Sequence, residues 1–258
     1  MNRMDEAIRR MTEEIDTALE HGLHSLWLYG SVALDDFRLG WSDIDFIAFA
    51  RGPISETQAH RLLTLRQDMS AHCPENPYYR CFEGVVVSLP EYRTGSYTRL
   101  VYWGTSGQRV TDRWTMDVFS RLELAKYGRL VYGERGEDLF SMPTRDELAE
   151  GVRRHYQGIR RCAVQTDESL YSCGWLLDTA RCLYTLRYGD VIGKTRAGEW
   201  ALHEHLFPEE EALQRTLMIR RDPLLYKDRP EVKAWLRSLG PTVQRYADVL
   251  ETELKTNR

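Results

Sequence analysis

The chain has 258 residues, with 42% hydrophobic and 29% charged side chains and a net charge of −4 from 35 basic and 39 acidic groups. This is the composition of a soluble globular protein of one or two domains, and it excludes a disordered chain. It also argues against a nucleic-acid wrapper, which needs a surplus of Lys and Arg to displace counterions.

The N-terminal run MNRMDEAIRRMTEE is charged and has no apolar core, so neither a secretory signal nor an anchor is expected. No stretch approaches the roughly 18 uncharged residues that a membrane helix needs. Cys73, Cys81, Cys162, Cys173 and Cys182 are odd in number and form no CxxC pair. They predict reduced thiols in a cytoplasmic protein. The spacing of His72, Cys73 and Cys81 matches no zinc site.

Residues 3–20 predict an amphipathic helix, with Met4, Ile8, Met11, Ile15 and Leu19 at helical spacing and Gly22 as a stop. Leu26 to Tyr29 predicts a strand that turns at Gly30-Ser31. Asp43–Phe49 predicts a second strand, and residues 56–71 a polar-faced helix. The valine-rich run Cys81–Leu89 predicts a third strand and residues 99–103 a fourth. Thr115–Tyr127 reads as a helix ending before the apolar Leu130-Val131-Tyr132. Ser141 to Thr144 has the texture of a linker. Thr144 and Glu147 form a capping-box pattern, in which hydroxyl and carboxylate satisfy free amides at a helix start. Beyond it every signal is helical: Leu148, Val152, Tyr156 and Ile159; then Leu176, Ala180 and Leu183; then Val232 to Leu250, bent at Gly240-Pro241. The expected division is an α/β domain at 1–140 and an all-helical bundle at 141–258.

The chemistry concentrates in Gly30-Ser31, an eleven-residue spacer, and Asp43-Ile44-Asp45. On a strand, Asp43 and Asp45 share a face about 7 Å apart. Two carboxylates on one pleat repel unless a cation lies between them, and a small set of hard oxygen ligands suits Mg²⁺ completed by substrate phosphates. Gly30 allows a tight turn and close approach of backbone to ligand, and the Ser31 hydroxyl can hold phosphate oxygens. Glu83 opens the valine-rich strand. If that strand neighbours the Asp-x-Asp strand, Glu83 could ligate a second metal, accept a proton from an attacking hydroxyl, or do both. A lone Asp-x-Asp is usually a turn or a solvated face. The combination with Gly-Ser, each preceded by an apolar strand, is more specific.

Gly30-Ser31 with Ser42-Asp43-Ile44-Asp45 resembles the signature of the DNA polymerase β-like nucleotidyltransferase superfamily. The likeness extends to the aminoglycoside nucleotidyltransferases that adenylylate streptomycin and spectinomycin. It runs through Asp117 to Gly133, the helix Leu176 to Tyr184, and Gly193-Lys194 through Trp200. The resemblance implies an α+β fold, a mixed-sheet nucleotidyltransferase domain followed by a helical bundle, with substrates bound between them. It implies metal binding by Asp43 and Asp45, triphosphate contacts from Ser31 and Ser42, and a catalytic base at Glu83. It also implies ATP-phosphate contacts from Arg181 and Lys194 and a nucleotide contact from Asp117. Bottom-up chemistry agrees for Arg181, because a cation on an otherwise apolar helix needs an anionic partner, either phosphate or a bundle carboxylate.

The implied reaction moves AMP from ATP to a hydroxyl of an aminoglycoside-like small molecule, releases pyrophosphate and uses two Mg²⁺ ions, in a monomer or weak dimer. The acceptor half departs from the family pattern. Tyr171 stands where an acidic acceptor contact is expected, with Asp167 and Glu168 nearby, and Tyr102 and Trp103 are only approximate counterparts of an aromatic contact. Two other readings remain open: transfer to a protein or another small molecule, and a nucleotide-binding sensor that transfers nothing. Arg196 and His203 loosely match an Arg-x6-His nuclease arrangement.

Overall fold

The structure, a computed structural model, describes residues 2–105, 107–134 and 139–256. The chain divides into two compact units. The first comprises Met1–Ala33, Asp43–Met116 and Glu123–Ser141; the second comprises Leu34–Ser42, Asp117–Leu122 and Met142–Arg258.

In chain order the elements are α1 (Arg3–Ala18), β1 (Leu23–Leu28), α2 (Gly30–Ala33), β2 (Ile44–Ala50), α3 (Glu56–His72), β3 (Phe82–Ser88), α4 (Leu89–Thr94), β4 (Leu100–Gly104), β5 (Gly107–Thr111), α5 (Val118–Tyr127) and β6 (Arg129–Gly133). The six strands form one mixed sheet in the order β5-β4-β3-β2-β1-β6. Only β2 and β3 pair in parallel; the other neighbours are antiparallel. Alternation along the strands gives each face its own core. Trp27, Ile47, Phe49, Val85, Val87 and Leu124 pack on one side. On the other, Phe46 meets the rings of Phe82 and Trp103, and the Trp103 indole donates to the Leu62 carbonyl of α3.

Several boundaries differ from the sequence reading. The first helix ends at Ala18, because Glu20 and His21 take left-handed backbone conformations. Asp43 stands one residue before β2 instead of opening it. β5 and β6 were not expected as strands. Their exposed, weakly alternating residues carry little pattern, and both are edge strands held by one neighbour each.

The second unit contains α6 (Arg145–Cys162), α7 (Tyr171–Tyr188), α8 (Lys194–His203), α9 (Glu210–Arg221), α10 (Pro223–Tyr226), α11 (Pro230–Arg237) and α12 (Gly240–Thr256). Thr144 and Glu147 make both capping-box hydrogen bonds at the start of α6, at 3.2 and 2.8 Å. Val152, Ile159, Leu176, Leu183, Leu217, Val243 and Leu250 belong to its buried core. The expected long, bent last helix is two helices. Ser238 ends α11, and Gly240-Pro241 begin α12, where a proline's missing N–H costs nothing.

No helix among the described residues is long and apolar enough to cross a membrane. The five cysteines stand as free thiols. Burial pushes Cys81 up to about 11 and both Cys173 and Cys182 up to about 12, so these three stay protonated near neutrality.

Candidate active site

Parallel pairing of β2 and β3 sets Asp45 opposite Glu83 in register, so their side chains leave the same face of the sheet. The Gly-Ser turn is stitched to the start of β2. The Tyr29 amide donates to the Asp45 carbonyl at 3.0 Å, and the Ser31 hydroxyl donates to the Asp43 carbonyl at 3.2 Å. Gly30 has φ +62°, and a Cβ there would lie 2.0 Å from Oδ2 of Asp45. Glycine is therefore required twice, once by the backbone and once by the carboxylate packed on it. The Gly30 amide donates to Oε2 of the buried Glu123 at 3.1 Å. Gly30→Ala is expected to cost about 1–3 kcal/mol in backbone strain. It must also displace the Asp45 carboxylate. A urea midpoint equal to wild type would contradict this account of the turn.

Glu83 is held from β4 and the turn that follows it. Tyr102 donates its hydroxyl to one carboxylate oxygen at 3.1 Å and Thr105 to the other at 3.3 Å. Burial, reinforced by the negative charge of Glu83, raises the Tyr102 phenol above its ordinary value, so it stays a donor. The Arg109 guanidinium lies 4.3 Å from the centre of the Tyr102 ring. A cleft of about 500 Å³ opens beside Glu83, lined among others by Asp43, Arg66, Ser70, Arg80 and Thr105. Burial lowers the Arg66 guanidinium, and the charges of Glu83 and Asp43 work the other way. It keeps its proton at any physiological pH.

Among the described residues, no three His, Cys, Asp or Glu side chains are grouped closely enough to hold a metal ion. The side chains as placed do not form the three-carboxylate cage the sequence predicts. Like charges on adjacent strands repel, and the Tyr102 and Thr105 hydroxyls hold both oxygens of Glu83. The donor chemistry still suits Mg²⁺: every candidate ligand is a carboxylate, and Asp45 and Glu83 are register neighbours on one face.

In the helical unit, Arg181 on α7 and Lys194 at the start of α8 converge on one carboxylate. Lys194 Nζ lies 3.0 Å, and an Arg181 guanidinium nitrogen 3.4 Å, from Oδ1 of Asp178, whose side chain is only 14% exposed. Burial alone would raise Asp178; Lys194 and Arg181 overcome it and hold the carboxyl well below the ordinary range. The partner expected for Arg181 is thus a bundle carboxylate. His155 lies between the rings of Phe119 and Trp175, and its buried Nε2 has no hydrogen-bond partner among the described residues. Burial lowers its basicity and keeps it neutral.

The remaining sequence candidates have local roles. The Ser42 hydroxyl accepts from the Arg38 amide at 3.0 Å and closes a turn. Asp117 caps α5, its Oδ1 accepting from the Phe119 and Ser120 amides. Asp167 is bound by Ser169 and Ser172, and Glu168 pairs with Arg237. Tyr171 is exposed at the start of α7. Trp103 is core, whereas Tyr102, next to it in sequence, touches Glu83; alternation sends the two to opposite faces. His203 is 85% exposed and pairs with Glu204, while Arg196 is exposed on the same helix.

Sequence reasoning missed Arg66, Thr105, Glu123, Asp178 and His155. Asp178 carried a usable signal, being an acid three residues before Arg181 on a helix predicted to be buried. The others depend on strand pairing and helix docking that no local spacing encodes.

No protein-family model matches the chain, and no curated protein sequence matches it. Among solved structures, the chain is similar to the spectinomycin adenyltransferase AAD(9) of Enterococcus faecialis, determined with ATP and spectinomycin. The two share a TM-score of 0.60 at 14% identity, over 95% of this chain and 98% of that one. The chain shares the fold of that adenyltransferase. At this identity the likeness speaks for architecture, and the residue chemistry must carry the function.

Proposed function

We propose that this protein is a Mg²⁺-dependent O-nucleotidyltransferase that transfers AMP from ATP to a hydroxyl of a small molecule of the aminoglycoside or aminocyclitol type, releasing pyrophosphate. The observation that carries the reading is the in-register pair Asp45 and Glu83, backed by a Gly30 that tolerates no side chain, in a nucleotidyltransferase fold. A nucleotide-only sensor has no need of Glu83 held by two hydroxyl donors.

Each group has a definite task. Glu83 accepts the proton of the attacking hydroxyl, its lone pairs oriented by Tyr102 and Thr105. Asp43 and Asp45, with Glu83, would hold magnesium, which when bound neutralises charge on the triphosphate. Ser31 and Ser42 offer hydroxyls to phosphate oxygens. Arg181 and Lys194, set side by side against Asp178, would take the phosphates. Asp117 would reach the nucleotide through Oδ2, whose partner is the rotatable Ser120 hydroxyl. With so little covalent work left to the protein, positioning and charge neutralisation supply the rate.

Pyrophosphate release, measured with ATP and Mg²⁺ against a panel of aminoglycosides and aminocyclitols, tests the reading. Release that depends on an acceptor, with an adenylylated product by mass, is the expected result. ATP binding without transfer to any hydroxyl compound would leave a sensor and overturn it.

A further inference from the structure

Arg66 has no part in the roles above, yet it borders the same cleft. It reaches from α3 and donates to two carbonyls, that of Phe82 at 2.7 Å and that of Gly104 at 3.2 Å. Each acceptor immediately precedes a residue of the Glu83 cluster: Phe82 precedes Glu83, and Gly104 precedes Thr105. The β3–β4 pairing runs from Val86–Val101 through Val85–Tyr102 to Gly84–Trp103. Both acceptors lie past its last pair, where β3 and β4 no longer hold each other; Phe82 is paired there with Ile44 of β2, and Gly104 with Gly107 of β5. A planar guanidinium suits this task, since its fork satisfies two oxygens at a fixed separation and a lysine ammonium does not. Its charge also lies near Asp43 and Glu83, the carboxylates on the wall of that cleft.

We infer that Arg66 is a positioning residue for Glu83. It bridges the ends of β3 and β4 so that the Tyr102 and Thr105 hydroxyls meet both carboxylate oxygens at once. The inference rests on the reading of Glu83 as the base. A bridge of this kind acts on turnover more than on nucleotide binding, because it governs a lone-pair direction and not a phosphate contact.

The test compares Arg66→Met and Arg66→Lys with wild type by steady-state kinetics, thermal melting and amide hydrogen exchange. Removing a group that orients a metal or catalytic carboxylate typically costs about 10–100-fold. The expected result is a kcat lowered by that factor in Arg66→Met, with KM for ATP within about twofold and a smaller loss in Arg66→Lys. Exchange should quicken at Glu83 and Thr105 while the mid-strand amides of Val85 and Val86 keep their protection. Unchanged kcat with unchanged exchange at those two sites overturns the inference. So does a uniform fall in melting temperature and protection across the sheet, which would make Arg66 a plain stability residue. The exchange readout needs no acceptor. A wild-type protein that transfers nothing therefore refutes the proposed function, while local exchange at Glu83 and Thr105 still decides the bridge.

Discussion

Glu83→Gln is expected to lower turnover about 10²–10⁴-fold, the range supplied by a well-placed general base. KM for ATP changes little where Glu83 serves as base alone, since the phosphate contacts stay, and rises where Glu83 also holds magnesium. The amide is nearly isosteric: one of the Tyr102 and Thr105 hydroxyls still donates to its oxygen and the other can turn to accept from its NH₂ group, so both hydrogen bonds are kept. Asp45→Asn is expected to behave differently. Losing a carboxylate that would hold magnesium weakens metal-dependent ATP binding as well as kcat. Mn²⁺ binding followed by electron paramagnetic resonance separates the two roles open to Glu83. Unchanged Mn²⁺ affinity in Glu83→Gln assigns it the base alone; weakened affinity assigns it metal ligation too. Wild-type turnover in Glu83→Gln on every acceptor would remove the base from the mechanism.

These residues were legible in the sequence because the chemistry is local. Gly30-Ser31 and Asp43-x-Asp45 each sit within a few positions, so the pattern shows without knowledge of strand pairing. Glu83 was reached by supposing that its strand lies beside β2, and the parallel register bears that out. Arg181 was legible as a cation on an otherwise apolar helix and Lys194 through the family resemblance, but their common partner Asp178 required the packing of α7 against α8. Arg66 was not legible at all. It sits on a polar-faced helix among other charged residues, and its acceptors are backbone carbonyls, which no side-chain pattern announces. The two edge strands escaped for a related reason: half-exposed strands need little apolar alternation, so the signal that marks β2 and β3 is missing.

The buried pair Asp36–Arg220 in the helical unit is expected to dominate that unit's stability. Their side chains are 5% and 1% exposed, with Arg220 donating to Oδ2 of Asp36 at 2.7 Å and to its backbone carbonyl at 3.0 Å. The same Oδ2 accepts from the Thr195 amide at 3.0 Å, so Asp36 also caps the helix that begins with Lys194. Gly193 is there for space: a Cβ would lie 2.6 Å from Cβ of Asp36. Arg220→Met leaves the buried carboxylate to the half-exposed Arg38, 3.9 Å from its Oδ1, and is expected to cost about 3–5 kcal/mol. At about 2–4 °C per kcal/mol, that is a melting shift of roughly 6–20 °C. Adding Asp36→Asn to Arg220→Met should recover part of the loss, because no uncompensated charge then remains inside. The pH dependence has a definite sign. Burial raises the Asp36 carboxyl, but Arg220 and the Thr195 hydrogen bonds bring it below its ordinary value of 3.8. The unfolded chain therefore takes up the proton first. The stabilisation is complete above the ordinary value and lost as pH falls through the lower folded one. Calorimetric melts at descending pH should show the wild type converging on the double variant in acid, from a wide gap near neutrality. A gap that stays constant into acid would mean that the ion pair contributes nothing beyond its shape.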